Sequence, residues 1–331
     1  SEILAEKFFG YQTYDSNSIK IDSNSIYDVA SLTKVIVTTP VIMKLIKKKY
    51  LHLNHEIYQF YPEFRGKLKD KVTIRHLLTH SSGLKPFEQY FLNDNIKGYD
   101  DVLNDIIQNQ ILLFEPGSEF KYSDLGMILL MGIAEKVTGR NFSDLAQSWV
   151  FNPIGMKNTY YNPPKKLYDM IPPTEIDEVY RNQLIKGVVH DENTHLMGGV
   201  SGHAGIFSNI YDLANYSQTM INLGIYNGSR VFSKSSIKKM VRKQNLPSGS
   251  DYALGWDTPS LKGSSAGDYF SNNSYGHLGF TGTSVWIDPN NKITIILLTN
   301  RTYPSRDNSG MYKLRRDFHN EVMKSILIGA K

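Results

Sequence analysis

The chain has 331 residues, of which 40% are hydrophobic and 21% charged, an ordinary globular make-up that excludes a disordered or fibrous protein. Its formal charge is +5, but the basic residues scatter, and the densest runs, Lys47–Lys49 and Lys238–Arg242, fall at helix ends or on a helix face. Without a basic stripe no nucleic-acid partner is expected, and without a single cysteine there are no disulfides, thiolate metal sites or cysteine nucleophiles.

No run approaches the roughly eighteen apolar residues that span a membrane. Glu2 to Phe9 reads as the inside of a strand ending at Gly10, and lacks the charged and apolar regions of a signal peptide. The expectation is that the sequence starts within a longer natural chain, whose missing part held a signal or another domain.

The alternation in Ile3–Phe8 and the β-favouring residues near Tyr11 predict an opening strand pair. Ser31 to Lys48 then places Val35, Ile36, Ile42, Met43, Leu45 and Ile46 at helical spacing, with Pro40 as a kink. Residues 50–209 read as helices and loops: Thr73 capping Ile74–Thr79, Asp100–Ile111, Leu125–Val137 closed by Gly139, and Phe142–Phe151 stopped by Asn152-Pro153. Strand signals return at Tyr252–Trp256, Thr283–Ile287 and Ile293–Leu298, the last two joined as a hairpin through Asp288–Asn291. A helix from about Met311 to Leu327 closes the chain. The predicted fold class is α+β. An antiparallel sheet, built from the first and last segments together and flanked by helices, carries an inserted, mainly helical subdomain. One domain then spans 1–331, its sheet part being about 1–49 plus 210–331 and its helical part about 50–209.

Three constellations carry chemistry. In Ser31-Leu32-Thr33-Lys34, at the mouth of an apolar helix, residues three apart share a face, so the Lys34 amine reaches the Ser31 hydroxyl. A serine hydroxyl needs a base, which a lysine supplies when burial or a neighbouring cation lowers its pKa. In Tyr122-Ser123-Asp124, before a second apolar helix, a tyrosine beside a cationic lysine serves as general acid or base. In His277-Leu278-Gly279-Phe280-Thr281-Gly282-Thr283, the glycines let a substrate approach a strand edge. There the Phe280 N–H pairs with that of Ser31 as an oxyanion hole, and His277 faces the site as a polar or protonatable contact. Each pattern alone reads equally as a cap or a tight turn.

Their order and setting resemble the serine β-lactamase and penicillin-binding-protein superfamily, on the side of class C β-lactamases, DD-peptidases and related esterases. His76–Leu84, Pro116–Ser123 and Tyr252–Trp256 are also similar to family signatures, so the resemblance covers nearly the whole chain. It implies a serine hydrolase working through an acyl-enzyme, without a cofactor, on a D-alanyl peptide, an ester or a β-lactam. Ser31, Lys34 and Tyr122 would be catalytic, with Asp124, His277, Gly279 and Phe280 binding substrate and oxyanion. It also implies an extracytoplasmic setting, and the mildly basic surface would suit association with an anionic cell wall or membrane surface. Two departures stand out: Asp124 replaces the asparagine of class C enzymes, and His277 replaces the lysine of Lys-Thr-Gly. Both weigh against efficient β-lactam hydrolysis.

His190–Gly205 concentrates histidines and carboxylates but matches no zinc spacing. It reads as a wall of the pocket, with Gly198 and Gly199 in tight turns and Ser201 or His203 near the substrate. This stretch looks like a branch found alone or behind a glycoside hydrolase domain. The rival readings are a penicillin-binding or sensing module that never turns over, and an accessory module of a larger glycan-active protein. Retention of reactive residues at all three motifs counts against a decayed site.

Overall fold

The computed structural model describes residues 2–329. The apolar run after Ser31 forms one buried rod, π-helical over Lys34–Thr38 and α-helical over Thr39–Lys47. Pro40 has no amide hydrogen for the preceding turn and crowds its carbonyl. The wider π turn just ahead of it accommodates that mismatch.

The helix Asp124–Thr138 lies at the centre, every residue from Leu125 to Ala134 being buried. Ser123 caps its start, its Oγ accepting from the Gly126 N–H at 3.3 Å, and Gly139 ends it at φ 65°. Against it pack the helices Ile74–Leu78 and Tyr99–Gln108 and the rod.

The expected stop at Asn152-Pro153 does not occur. The helix from Phe142 continues through a π turn, Gln147–Phe151, into Asn152–Ile154, and ends at Gly155 with φ 70°. Pro153 cannot donate to the Trp149 carbonyl, which instead accepts from Lys44 Nζ at 2.7 Å.

The strands are β1 Tyr27–Asp28, β2 Tyr160–Tyr161, β3 Glu175–Asp177, β4 Gln183–Ile185, β5 Ile206–Ser208, β6 Ile225–Tyr226, β7 Ser229–Arg230, β8 Tyr275–Leu278, β9 Ser284–Asp288 and β10 Ile293–Leu297. All their pairings are antiparallel. The sheet β10-β9-β8 has its buried centre at β9, with Trp286 opposite both Gly276 and Ile295. Val285 and Ile287 enter the main core, where the helix Ile210–Ile221 packs. Trp286 points the other way, into a second cluster with Phe270, Ile295 and Met323 of the closing helix Met311–Gly329. Both faces of β9 are thus covered, the condition under which a strand loses polar alternation.

Three strand expectations are corrected. Residues 2–9 form no strand: beyond them stands a single bridge, Tyr11 with Lys20, and Ile3 and Leu4 are exposed with no strand edge to pair with. Among the described residues the early segment makes no strand pairing with the terminal hairpin; β1 pairs with β5, in the sheet β1-β5-β2. Tyr252–Trp256 is a turn, not a strand, with one bridge after it between Asp257 and Gly276. Gly255 holds that turn at φ 76°, donates to the Leu78 carbonyl at 2.7 Å, and leaves room for Thr39 Oγ1 that any Cβ would occupy.

Candidate active site

Ser31 is delivered by a turn that Asp28 builds. The buried Asp28 carboxylate accepts the Ala30 N–H at 2.8 Å through Oδ1 and the His190 N–H at 2.7 Å through Oδ2. Ala30 sits at φ 47°, a left-handed conformation unfavourable for alanine, and the Asp28 bond holds it there. Burial pushes the Asp28 carboxyl up, although the two amide bonds and His190 oppose the shift. Val29 continues the ladder by donating to the Ile206 carbonyl, so Ser31 stands just beyond the end of β1.

One turn on, Lys34 is fully buried; its ammonium donates to Ser31 Oγ at 2.9 Å and to the His203 carbonyl at 2.9 Å, and forms an ion pair with Asp124 Oδ1 at 2.7 Å. Burial pushes Lys34 down, but the Asp124 carboxylate and Tyr122 outweigh it, and the net direction is up. This corrects the expectation of a lysine with a lowered pKa: at rest Lys34 is a donor to Ser31. The added carboxylate of Asp124 is balanced by the same contact.

Tyr122 lies within reach of both Ser31 and Lys34, with Lys34 Nζ 4.8 Å from its ring centre. Its hydroxyl meets neither at the angles of a formed hydrogen bond. Burial pushes its pKa up, more than the neighbouring Lys34 ammonium pulls it down. The ring packs between two buried imidazoles, 4.5 Å from His80 and 5.9 Å from His277.

Neither imidazole is a cation. His277 is pushed down to about 3, first by burial and then by Lys34. Its Nδ1 donates to the Leu278 carbonyl at 2.8 Å and its Nε2 accepts from the Tyr252 hydroxyl at 3.1 Å, so both nitrogens are engaged. Of the polar or protonatable contact expected at this position, the polar form is what the neutral, hydrogen-bonded ring provides. His80 is held well below the usual range by burial and Lys34; its Nδ1 accepts the Ser123 N–H at 3.0 Å, leaving Nε2 to carry the proton without an acceptor.

The turn after β8 is sewn to the segment before Ser31. Thr281 Oγ1 donates to the Asp28 carbonyl at 2.7 Å and Thr283 Oγ1 to the Val29 carbonyl at 3.2 Å. Gly279 serves this seam: a Cβ there would collide with Val29 O and Thr283 Oγ1. Its lack of a side chain brings protein backbone together, and the opening expected for a substrate at that glycine is already filled. Phe280, half-exposed, packs between His190 and Arg301, and Arg301 Nε donates to its carbonyl at 2.7 Å. The Ser31 and Phe280 N–H groups have no hydrogen-bond acceptor among the described residues.

The stretch 190–205 lies against the site mainly through backbone. The His203 carbonyl holds Lys34, while the His203 ring is occupied by Ser201 Oγ at 2.7 Å and Asp191 Oδ1 at 2.9 Å. Gly198 and Gly199 take φ 83° and 84°. Of the residues named from the sequence, Ser31, Lys34, Tyr122 and Asp124 are thus in one cluster, with His277 and Phe280 at its border and Gly279 behind. Asp28, His80, Tyr252 and the His203 carbonyl were not among them. His80, Tyr252 and His203 stood inside stretches noted from the sequence without being named for these contacts, and a main-chain acceptor leaves no mark in residue type.

A serine in contact with a buried lysine, beside an antiparallel sheet and a helical layer, is the arrangement of a serine hydrolase of the β-lactamase fold. The family model described as Beta-lactamase matches residues 1–320, and the chain belongs to that family. It is 31% identical to a protein of Salmonella schwarzengrund with the provisional name D-alanyl-D-alanine carboxypeptidase, over 92% of this chain and 77% of that one. Among solved structures it resembles the octameric penicillin-binding protein homologue from Pyrococcus abyssi, with TM-score 0.72 and 22% identity over 99% of this chain and 71% of the other. It also resembles EstCE1, a hydrolase with promiscuous acyltransferase activity, with TM-score 0.70 and 21% identity over 94% and 88%.

Proposed function

We propose that the chain cleaves an ester or amide through an acyl-enzyme on Ser31. The observation that carries this reading is the contact of Ser31 Oγ with a buried Lys34 that also grips Asp124. As Ser31 attacks the carbonyl, its proton passes to Lys34 Nζ while Lys34 releases one to Asp124 Oδ1. Asp124 ends the chain because it is the carboxylate in contact with Lys34. The Ser31 and Phe280 N–H groups hold the oxyanion; one such donor is typically worth about a hundredfold or more in rate. When the tetrahedral adduct collapses, the carbon–leaving-group bond breaks and Tyr122 protonates the leaving group, regaining its proton from the Lys34–Asp124 pair. Water then repeats the sequence on the acyl-enzyme.

The acyl donor in this reading is a D-alanyl peptide, a cell-wall-derived compound or an ester. The name of the Salmonella relative supports the D-alanyl class. A wall-derived substrate would have the enzyme act in the periplasm or outside the cell.

Intact-mass measurement after exposure to a fluorophosphonate and, separately, to a penicillin tests the proposal. Wild type should gain a single adduct and Ser31→Ala none, and the variant should lose turnover by about a thousandfold or more. No adduct from either reagent, or near-normal turnover in Ser31→Ala, would overturn it. A penicillin adduct that persists for hours would indicate a sensing module.

A further inference from the structure

Around Ser31 the charges close on themselves. Lys34 donates to Ser31 Oγ and to the His203 carbonyl, and its charge is balanced by Asp124 at 2.7 Å. The next two polar rings, His80 and His277, are buried and neutral, and His277 has both nitrogens bound by Leu278 O and Tyr252. The two guanidiniums packed on the Gly279–Thr283 turn are also engaged on main-chain carbonyls. Arg301 donates to Phe280, Arg306 and Asn308, and Arg315 to Gly279 and Thr283. What remains in the cluster is Asp124, one oxygen buried on Lys34 and its side chain one-fifth exposed.

A substrate with a carboxylate beside the scissile bond must bring that charge out of water, and burial of an ion without a counter-ion is strongly unfavourable. Here Lys34 is paired with Asp124, the two arginines are buried and held on main-chain carbonyls, and the partly exposed charge is negative.

We infer that the site takes acyl compounds whose leaving group is uncharged, neutral esters above all, and discriminates against those with a carboxylate next to the scissile bond, with Asp124 as the discriminating residue. The inference rests on the acyl-enzyme reading above and narrows its substrate. It runs against a free C-terminal D-alanine as leaving group.

The test compares meta-acetoxybenzamide with meta-acetoxybenzoate, two acetyl esters that differ in the charge of the leaving group. Fluorophosphonate labelling of Ser31 is measured on the same preparation. Wild type should show kcat/KM at least about tenfold higher for the benzamide. In Asp124→Asn the ratio should move about tenfold toward the benzoate, whose carboxylate can then serve Lys34 as counter-ion. Equal or faster cleavage of the benzoate by wild type would overturn the inference, as would labelled enzyme that cleaves neither ester. A wild-type preference that persists undiminished in Asp124→Asn would overturn the assignment to Asp124. Absence of fluorophosphonate labelling would remove the acyl-enzyme reading itself, an outcome distinct from all of these.

Discussion

Replacing Asp124 with Asn keeps the side chain's shape and removes its charge from beside a lysine with no exposure. At 2.7 Å and an effective dielectric of about 20, the attraction lost is about 6 kcal/mol. Part of it offsets the cost of burying both ions, and removing one member of such a pair typically costs about 3–5 kcal/mol net. The pH dependence is the more telling signature. In wild type the folded-state pKa of Lys34 lies above the ordinary lysine value, so its stabilising contribution is fully present below that value and is lost only as pH rises through the folded one. In Asp124→Asn the largest raising influence is gone, burial dominates, and the folded pKa falls below the ordinary value. Between the two the unfolded chain binds more protons, so the variant gains stability as pH rises. Urea unfolding followed by the fluorescence of the three tryptophans should therefore show a gap between the proteins that is widest near about pH 6 and narrows toward about pH 10. A gap that does not change with pH, or no gap, would refute the argument that Asp124 holds the charge on Lys34.

Gly279→Ala should push the Gly279–Thr283 turn away from Val29 and with it the Phe280 N–H, lowering kcat by about a hundredfold with little change in KM; steady-state kinetics on a neutral ester would check it, and a change confined to KM would refute the seam's role. At His80, with φ 53°, Asn tolerates the backbone and offers an oxygen to the Ser123 N–H, so His80→Asn should be nearly as stable as wild type, whereas His80→Leu should lose about 2–4 kcal/mol. Equal losses in denaturant unfolding would show that ring packing on Tyr122 matters more than the Ser123 bond.

Sequence reasoning reached the helices with a strong local signature, such as Thr73 capping Ile74–Leu78 and Gly139 closing the central helix, because capping chemistry is written within a few residues. It also reached the β9–β10 hairpin. It missed β5 and β8, three and four residues long, whose pairing depends on partners far along the chain, and it overread Ile3–Phe8, whose alternation has no strand beside it. At the site, side chains within reach of one another could be named from spacing and family order. The charge state of Lys34 could not, since it depends on the distance to Asp124 across two helices. Nor could Gly279's function, because a glycine that admits a substrate and one that admits a carbonyl look alike in sequence.

The Lys34 ammonium takes one partner three residues before it and another 169 residues after it. A chain that has only formed its first helix already holds Ser31 and Lys34 at the right spacing, yet its serine is an ordinary alcohol. In the proposed mechanism the hydroxyl is activated only when the loop carrying His203, the helix carrying Asp124 and the late turn carrying Phe280 have all docked. On that mechanism chemical competence arrives with the final tertiary contacts and not with the first helix.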